Sequence, residues 1–423
     1  MKINFQNIIN NYKMLKRKGI IQIVLGSFIR NIIMYLITLI ISYILKKEEY
    51  GQLSLAENIS NILMIINGYG SIEAYLQYAS RIGENDKKTL LYENVGKYFK
   101  YELILSLIGI IIAIFFINNK AMFFLLIIYA ILPPVSFLSE LCYSYFRACM
   151  RNKEYAYYSV LQVIIVVVFE LIFFYFFGLI GIAIGKVFAI SLQAFILYKK
   201  IKYKLFKLEP IIGKRQINTE YIKYGLYYIF AQLALKIGPY LELQFSNILN
   251  NINNVASYRV AAIIPSGLLF IPSSIAVFYY PIIAKYSKNK MWQKRNIMRI
   301  IIYTTLMCAI IGISTFLLSE VIINTIYRGK YIESIKLMQL MSLSFIINGG
   351  IRVSTSNIIL ALGYAKFNLK RGLVTMLIQI PLNYYFAYKY SLIGLALSGI
   401  IVNFISALMN FIFIKRNIYS RGK

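Results

Sequence analysis

The sequence has 423 residues, of which 59% are hydrophobic and 15% charged, and its formal net charge is +30. The core of a water-soluble domain does not bury this much apolar surface, so lipid must be the main solvent of the chain. A nucleic-acid-binding protein is excluded, because no stretch is long and polar enough to form a soluble basic domain.

Two residue types restrict the chemistry. The sequence has no histidine, which removes the commonest general base and the commonest metal ligand. Its three cysteines, Cys142, Cys149 and Cys308, lie in or beside apolar segments with neither disulfide nor metal-ligand spacing. We therefore expect no catalytic residues, no enzyme activity, no metal site and no bound cofactor.

Apolar segments long enough to cross a membrane follow one another along the chain. A spanning helix needs about 20 mostly apolar residues. The first half has candidates at 20–45, 52–80, 98–118, 120–146, 155–177 and 178–199. The second half has candidates at 221–249, 255–284, 297–318, 336–362, 367–388 and 391–414. The first segment is too long for a signal-peptide core and is expected to remain as a helix. The predicted fold is all-α, a polytopic membrane protein with about 12 transmembrane helices in two six-helix lobes.

The distribution of lysine and arginine predicts the orientation. With a cytoplasmic N-terminus, the basic clusters all fall inside, at residues 13–18, 81–100, 147–153, 199–223, 285–299, 366–371 and 415–423. The outer loops are almost free of positive charge, as the positive-inside rule requires. Both termini are therefore expected in the cytoplasm, and the inner clusters can hold anionic membrane lipids.

The two halves of the chain show weak internal similarity. At an offset of 206 residues Arg30 falls on Lys236, and at an offset of 213 the run 179–183 falls on 392–396. We predict an N-terminal lobe at 1–200, a basic cytoplasmic linker at 201–220 and a C-terminal lobe at 221–423. Six spans per half would make the halves parallel repeats with a cavity between them.

Charged residues inside the spans are the candidate functional residues, since a central charge costs about 2.5–3.5 kcal/mol on insertion scales. The cations are Arg30, Lys186, Lys236, Arg259 and Arg352. One interpretation is a cationic cavity that binds a pyrophosphate head group, which arginine matches with two parallel hydrogen bonds. The alternative is that each cation pairs with an intramembrane acid for structural reasons.

The acids within the spans are Glu57, Glu73, Glu140, Glu170 and Glu242. Besides pairing with cations, Glu57, Glu73 and Glu242 are candidates for coupling transport to H⁺ or Na⁺, because a carboxylate in an apolar setting can change its protonation in a useful range.

Two helices have unusual composition. The second span contains ten polar or glycine positions between Glu57 and Gln77, so it either lines the cavity or forms a polar seam between helices. The eighth contains Pro265, Pro272 and Pro281, which predict a bend, either static or used as a hinge.

Several segments resemble the polysaccharide flippase (Wzx-like) family of the multidrug/oligosaccharidyl-lipid/polysaccharide exporter (MOP) superfamily. The run 47–56 contains the Glu-Tyr-Gly turn that precedes the second helix of that family, and 258–262 resembles its Tyr-x-x-Ala step. The run 326–331 resembles a short outer loop of the family, and 362–366 its Leu-Gly-x-x-Lys inner turn. These segments occur in the family's order along nearly the whole chain.

The resemblance implies a MATE-like fold and a flippase that carries an undecaprenyl-diphosphate-linked oligosaccharide repeat unit of O-antigen or capsule across the bacterial inner membrane by alternating access. The five cations would meet the anionic substrate, and Glu242 stands for an acid common in the seventh helix of such proteins. Other polysaccharide assembly proteins are candidate partners.

A passive scaffold or scramblase stays open as an alternative and would transport without regard to ion gradients, whereas two further functions fit the sequence less well. A MATE-type multidrug or cation antiporter of the same superfamily should have an acidic or aromatic cavity, which the excess of mid-membrane cations disfavours. A membrane glycosyltransferase or polymerase needs a sizeable outer loop for its catalytic groups, and no predicted outer loop is long enough.

Overall fold

The computed structural model describes residues 20–117, 119–205, 217–249 and 251–419, and these residues form helices and turns without strands. In the first half the helices are α1 (Ile20–Ile44), α2 (Lys47–Met64), α3 (Ser71–Ala79), α4 (Glu84–Phe116), α5 (Lys120–Tyr129), α6 (Leu132–Ala148) and α7 (Asn152–Leu205). In the second half they are α8 (Thr219–Leu249), α9 (Ile252–Leu268), α10 (Phe270–Lys285), α11 (Lys290–Tyr327), α12 (Ser334–Phe345), α13 (Ser354–Ala361) and α14 (Ala365–Ile414).

The helices confirm the predicted spans. Within the described residues, eight helical stretches are long and apolar enough to cross a membrane. Two of them, Asn152–Ile201 and Ala365–Tyr419, have 50 and 55 residues, about twice what a bilayer needs, so each contains two spans. The more polar stretches 47–79 and 219–249 do not meet this criterion, but they are helical where the sequence predicts the remaining two of the twelve spans.

The two long helices reverse at equivalent positions of the repeat. Gly178 (φ 59°, ψ −139°) interrupts α7, and Ser391 (φ 54°, ψ −136°) interrupts α14. These residues are separated by the offset of 213 found in the sequence, and their backbone angles agree within 5°. The structure therefore repeats the same turn between the fifth and sixth spans and between the eleventh and twelfth.

The described chain divides into two compact units. The first contains the chain up to Ile37 together with Ala56–Gln232, and the second contains Thr38–Leu55 together with Leu233–Lys423. The predicted lobe limits at 200 and 220 stay a prediction, and the basic linker falls mostly on residues 206–216, outside the described residues.

The segment Thr38–Leu55 belongs to the second unit through specific contacts. Ser42 Oγ lies 2.8 Å from the Tyr327 hydroxyl, and Lys47 Nζ lies 2.9 Å from a carboxylate oxygen of Glu333. Lys330 also donates to the carbonyl of Leu45 just beyond the end of α1. The hydrogen bond from Lys47 holds the pKa of Glu333 below its ordinary value.

The second span is broken rather than continuous. A single tight turn, Asn67–Gly70, separates α2 from α3, and its residues Gly68, Tyr69 and Gly70 all have positive φ. Gly70 packs against the backbone of Gly225 so closely that a Cβ would collide with it. At least one polar side chain of this span bonds to another helix, since Glu57 accepts from Lys186 of α7.

The eighth span is interrupted in the region of its prolines. It is interrupted at Leu269, between Pro265 within α9 and Pro272 within α10. Because proline has no N–H to donate, helical hydrogen bonding weakens near each of these positions.

Large apolar side chains cover the outside of the spans. In α7, Tyr175, Phe176 and Phe177 are among the exposed aromatic residues, and only 17% of the most apolar window of this helix is buried. A helix with so much exposed apolar surface is stable in lipid and not in water.

Candidate functional site

A cavity of about 360 Å³ lies inside the second unit. The α8 and α9 helices, the stretch from α12 to the wide turn that follows it, and α14 form its wall. Its charged and amide-bearing lining residues are Glu242, Arg259, Asn348, Arg352, Arg371, Gln379 and Asn403. The cavity thus brings together three of the residues selected from the sequence, namely Glu242, Arg259 and Arg352.

The carboxylate of Glu242 is held on both oxygens. The Tyr258 hydroxyl donates to Oε2 at 2.7 Å, and the Gln379 side-chain amide donates to Oε1 at 2.7 Å. Gly238 lies directly against the Gln379 side chain, where any Cβ would collide. Two donors fix the orientation of this carboxylate and leave it able to accept a proton or a cation.

Arg352 is positioned by an irregular part of its helix. Residues Ile346–Val353 form a π-helix between α12 and α13, and such wide turns often mark functional sites. Gly349 and Gly350 make close packing possible there, because a Cβ on either would lie 3.0 Å from its nearest neighbour. Arg352 Nε donates to Asn348 Oδ1 at 2.7 Å, which directs the guanidinium along the cavity wall.

Arg371 also lines the cavity, although by sequence it belongs to the basic cluster 366–371 that is predicted to lie inside. It lies six residues into α14 and is only 4% exposed. Its Nη1 donates to Asn410 Oδ1 at 2.8 Å and to the Ser356 hydroxyl, while its Nε has no acceptor. Arg371 lies within the predicted span 367–388, close to its start. Its place inside a span was the feature of the sequence that could have identified it as a candidate.

The charges of this cavity do not balance. Three arginines and one glutamate line it, a net charge of +2, and within the described residues none of the three arginines has a carboxylate within 4.0 Å. Buried charges are normally paired, because the desolvation of each ion costs several kcal/mol. Open guanidinium donors match the acceptor geometry of a phosphate or carboxylate group.

Lys186 behaves differently from the other selected cations. Its Nζ lies 2.6 Å from Glu57 Oε1 within the first unit, and also 5.5 Å from the centre of the Tyr129 ring. Glu170, which is 4% exposed, lies close enough to interact with both members of the pair. This geometry matches the alternative in which an intramembrane cation pairs with an acid.

Arg30 and Lys236 lie outside the cavity. Arg30 is half-buried in the first unit, where Glu140 lies close enough to interact with it and Glu73 accepts a hydrogen bond of 3.4 Å from Tyr228. Lys236 is exposed on α8. Within the described residues neither cation has a carboxylate within 4.0 Å.

The described residues contain no cluster of three or more histidine, cysteine, aspartate or glutamate side chains with a geometry suited to a metal ion. The described polar lining of the cavity consists of arginines, amides, hydroxyls and the carboxylate of Glu242.

The chain is similar to one protein family and to one curated membrane protein. The model of a family described as "Polysaccharide biosynthesis protein" matches residues 17–287. An uncharacterised membrane protein of Methanocaldococcus jannaschii is 22% identical over 93% of this chain and 83% of its own length.

Solved structures share the fold. The lipid II flippase MurJ in an inward closed conformation has a TM-score of 0.76 and 17% identity, over 93% of this chain and 87% of its own. An outward-facing multidrug resistance MATE family transporter of the MOP superfamily has a TM-score of 0.65 and 16% identity, over 95% of both chains. At these identities the similarity shows the fold alone, and it is the expected MATE-like fold.

Proposed function

Since the chain belongs to the polysaccharide biosynthesis protein family, we propose that it is a flippase for a lipid-linked oligosaccharide. Its substrate is an undecaprenyl-diphosphate-linked repeat unit of O-antigen or capsule, moved from the cytoplasmic to the outer leaflet of the bacterial inner membrane by alternating access. One solved structure with this fold is named a lipid II flippase, so the fold can carry flippase activity.

The observation that carries the proposal is the uncompensated positive charge of the cavity in the second unit. A diphosphate brings negative charge and several acceptor oxygens into a setting of low dielectric, where charge-assisted hydrogen bonds are strong. Arg352 and Arg259 are the proposed contacts in that unit. Arg30 and Lys236 are proposed as further substrate-binding cations, since neither has a carboxylate within 4.0 Å among the described residues. The Lys186 charge is already offset by Glu57.

Ion coupling is proposed at the carboxylates. Glu242 has the most suitable geometry, because it lies in the same cavity as Arg352 and is fixed by two donors. Binding of H⁺ or Na⁺ at Glu242 would raise the positive charge around the anionic substrate, so the ion and the substrate would favour each other's binding. Glu57 and Glu73 are the other candidates, and membrane lipids and polysaccharide assembly proteins are the proposed partners.

The test is the translocation of a fluorescent undecaprenyl-diphosphate oligosaccharide in proteoliposomes, with imposed H⁺ and Na⁺ gradients. We expect Arg352→Ala, Arg30→Ala and Lys236→Ala each to slow flipping by about tenfold or more, because each removes a charge-assisted contact of about 1.5–3 kcal/mol. Lys336→Ala, an exposed cation in the same span as Arg352, is the matched control and should retain wild-type rates.

Two results would contradict this function. Wild-type flipping in all three arginine and lysine variants would remove the cationic mechanism. Gradient-driven efflux of an organic cation without any flipping would instead assign the protein to the MATE-type multidrug antiporters, the alternative that the acidic Glu242 and the shared fold keep open.

A further inference from the structure

The break in the second span leaves a backbone donor without its helical partner. In the turn Asn67–Gly70, positive φ angles of 69°, 48° and 72° at Gly68, Tyr69 and Gly70 prevent continuous helical hydrogen bonding. Tyr69 is the notable member, because side chains larger than hydrogen rarely adopt this conformation without a compensating interaction. The Gly68 N–H instead donates to Glu102 Oε1 at 2.8 Å.

Glu102 is a fully buried carboxylate that the sequence analysis did not select. It projects from α4 in the same unit, its residue is 0% exposed, and its second oxygen, Oε2, has no hydrogen-bond partner. None of the ion pairs among the described residues involves it. A single backbone hydrogen bond does not compensate for burying a full negative charge.

Two other oxygen atoms of the same break are also buried without partners. They are Asn67 Oδ1, at the start of the turn, and Ser71 Oγ, at the first residue of α3. Buried polar atoms normally have hydrogen-bond partners. The three unpartnered oxygens, two at the turn and one on Glu102, therefore indicate that a ligand binds there. Broken membrane helices characteristically bind Na⁺ or H⁺ where their backbone is unwound, and carboxylate, amide and hydroxyl oxygens are the side-chain acceptors for such ions.

The neighbouring groups offer no alternative partner for Glu102. Tyr69 of the turn and Tyr101 of α4 are the titratable groups beside it, and their ring centres lie 5.4 Å apart. From α6 the contact on this turn is the apolar ring of Phe137, against Gly68. Within the described residues no lysine or arginine nitrogen lies within 4.0 Å of the Glu102 carboxylate.

We propose that the break between α2 and α3 is a binding site for a small monovalent cation, Na⁺ or H⁺, centred on Glu102 with Asn67 and Ser71 as further oxygen ligands. The bound ion neutralises Glu102 and stabilises the broken conformation of the second span. The site lies wholly within the first unit and does not depend on the identity of the transported substrate.

The experiment uses thermal unfolding of the full-length protein in detergent. NaCl is titrated against choline chloride at constant ionic strength, and pH is varied separately without Na⁺. A Na⁺ site predicts that the melting temperature rises saturably by at least about 1 °C with NaCl alone. A proton site predicts no specific Na⁺ effect but a dependence of the melting temperature on pH.

Glu102→Gln is the informative variant, since its amide oxygen still accepts from Gly68 N–H while the charge is lost. It should abolish a Na⁺ response, or remove the part of the pH dependence that Glu102 contributes, whereas Glu93→Gln, on the same helix, should leave that response intact. Asn67→Ala and Ser71→Ala should weaken the Na⁺ response without removing it. If Glu102→Gln does not fold, these two variants test the site in its place. A wild type that responds to neither ion, or a Glu102→Gln variant that responds normally, would overturn the site.

Discussion

At the scale of single residues, a charge in this molecule takes its role from the partner that the fold supplies. Lys186 and Arg352 both lie inside spans, yet Lys186 has Glu57 at 2.6 Å and Arg352 has the neutral amide of Asn348 at 2.7 Å. Glu57 compensates the charge of Lys186, whereas the charge of Arg352 remains available to a ligand. Residue type and depth alone do not distinguish these two cases.

The pairing leads to a prediction for Lys186→Met. This change leaves Glu57 beside Glu170 without a compensating cation, and we expect a loss of about 2 kcal/mol or more in the free energy of unfolding. Adding Glu57→Met should recover much of that loss, because the double variant removes the unpaired charge. Thermal or denaturant unfolding of the two single variants and the double variant measures the coupling. Additive effects would show that the pair does not stabilise the first unit.

At the scale of elements, the chain reverses with nearly the same backbone angles at Gly178 and at Ser391. Glycine adopts these angles without strain, whereas serine does not. Both have φ near +55° and ψ near −137°, a region almost restricted to glycine. We expect Ser391→Gly to stabilise the protein by about 1 kcal/mol, because it relieves strain that the first repeat avoids.

The matched change is Gly178→Ser, which should destabilise by a similar amount. A Cβ at Gly178 would meet nothing within 4 Å, so any effect comes from the backbone alone. Melting temperatures of the two variants and the wild type in the same detergent give the comparison. A destabilising Ser391→Gly would mean that the serine side chain contributes more than the strain costs.

At the scale of the whole molecule, the distribution of positive charge predicts that both termini lie in the cytoplasm. Cysteine labelling after replacement of the three native cysteines tests this, using Lys288→Cys in a predicted inner loop and Ile332→Cys in a predicted outer loop, both at exposed positions. A membrane-impermeant maleimide should label residue 332 in intact cells and residue 288 only after permeabilisation. The reverse pattern would invert the topology.

Some properties of this protein are determined by the sequence alone. The twelve spans were predictable because crossing a bilayer requires a local run of about 20 apolar residues, whatever the rest of the chain does. The repeat was detectable for a similar reason, since the offset of 213 that aligns 179–183 with 392–396 also aligns the turns at Gly178 and Ser391. Glu242, Arg259 and Arg352 could be selected because a charge within such a run is costly wherever it lies.

Only the tertiary structure decided which of these charges act together. Lys186 and Glu57 are 129 residues apart in the sequence, and Gln379 and Glu242 are 137 apart, so their contacts depend on how the helices pack. Arg371 and Glu102 lie near the starts of their predicted spans, where a charge can equally reach water, and packing alone buries them. The sequence pattern records how apolar each segment is, whereas the partner and the exposure of a polar side chain are set by helices distant in the chain.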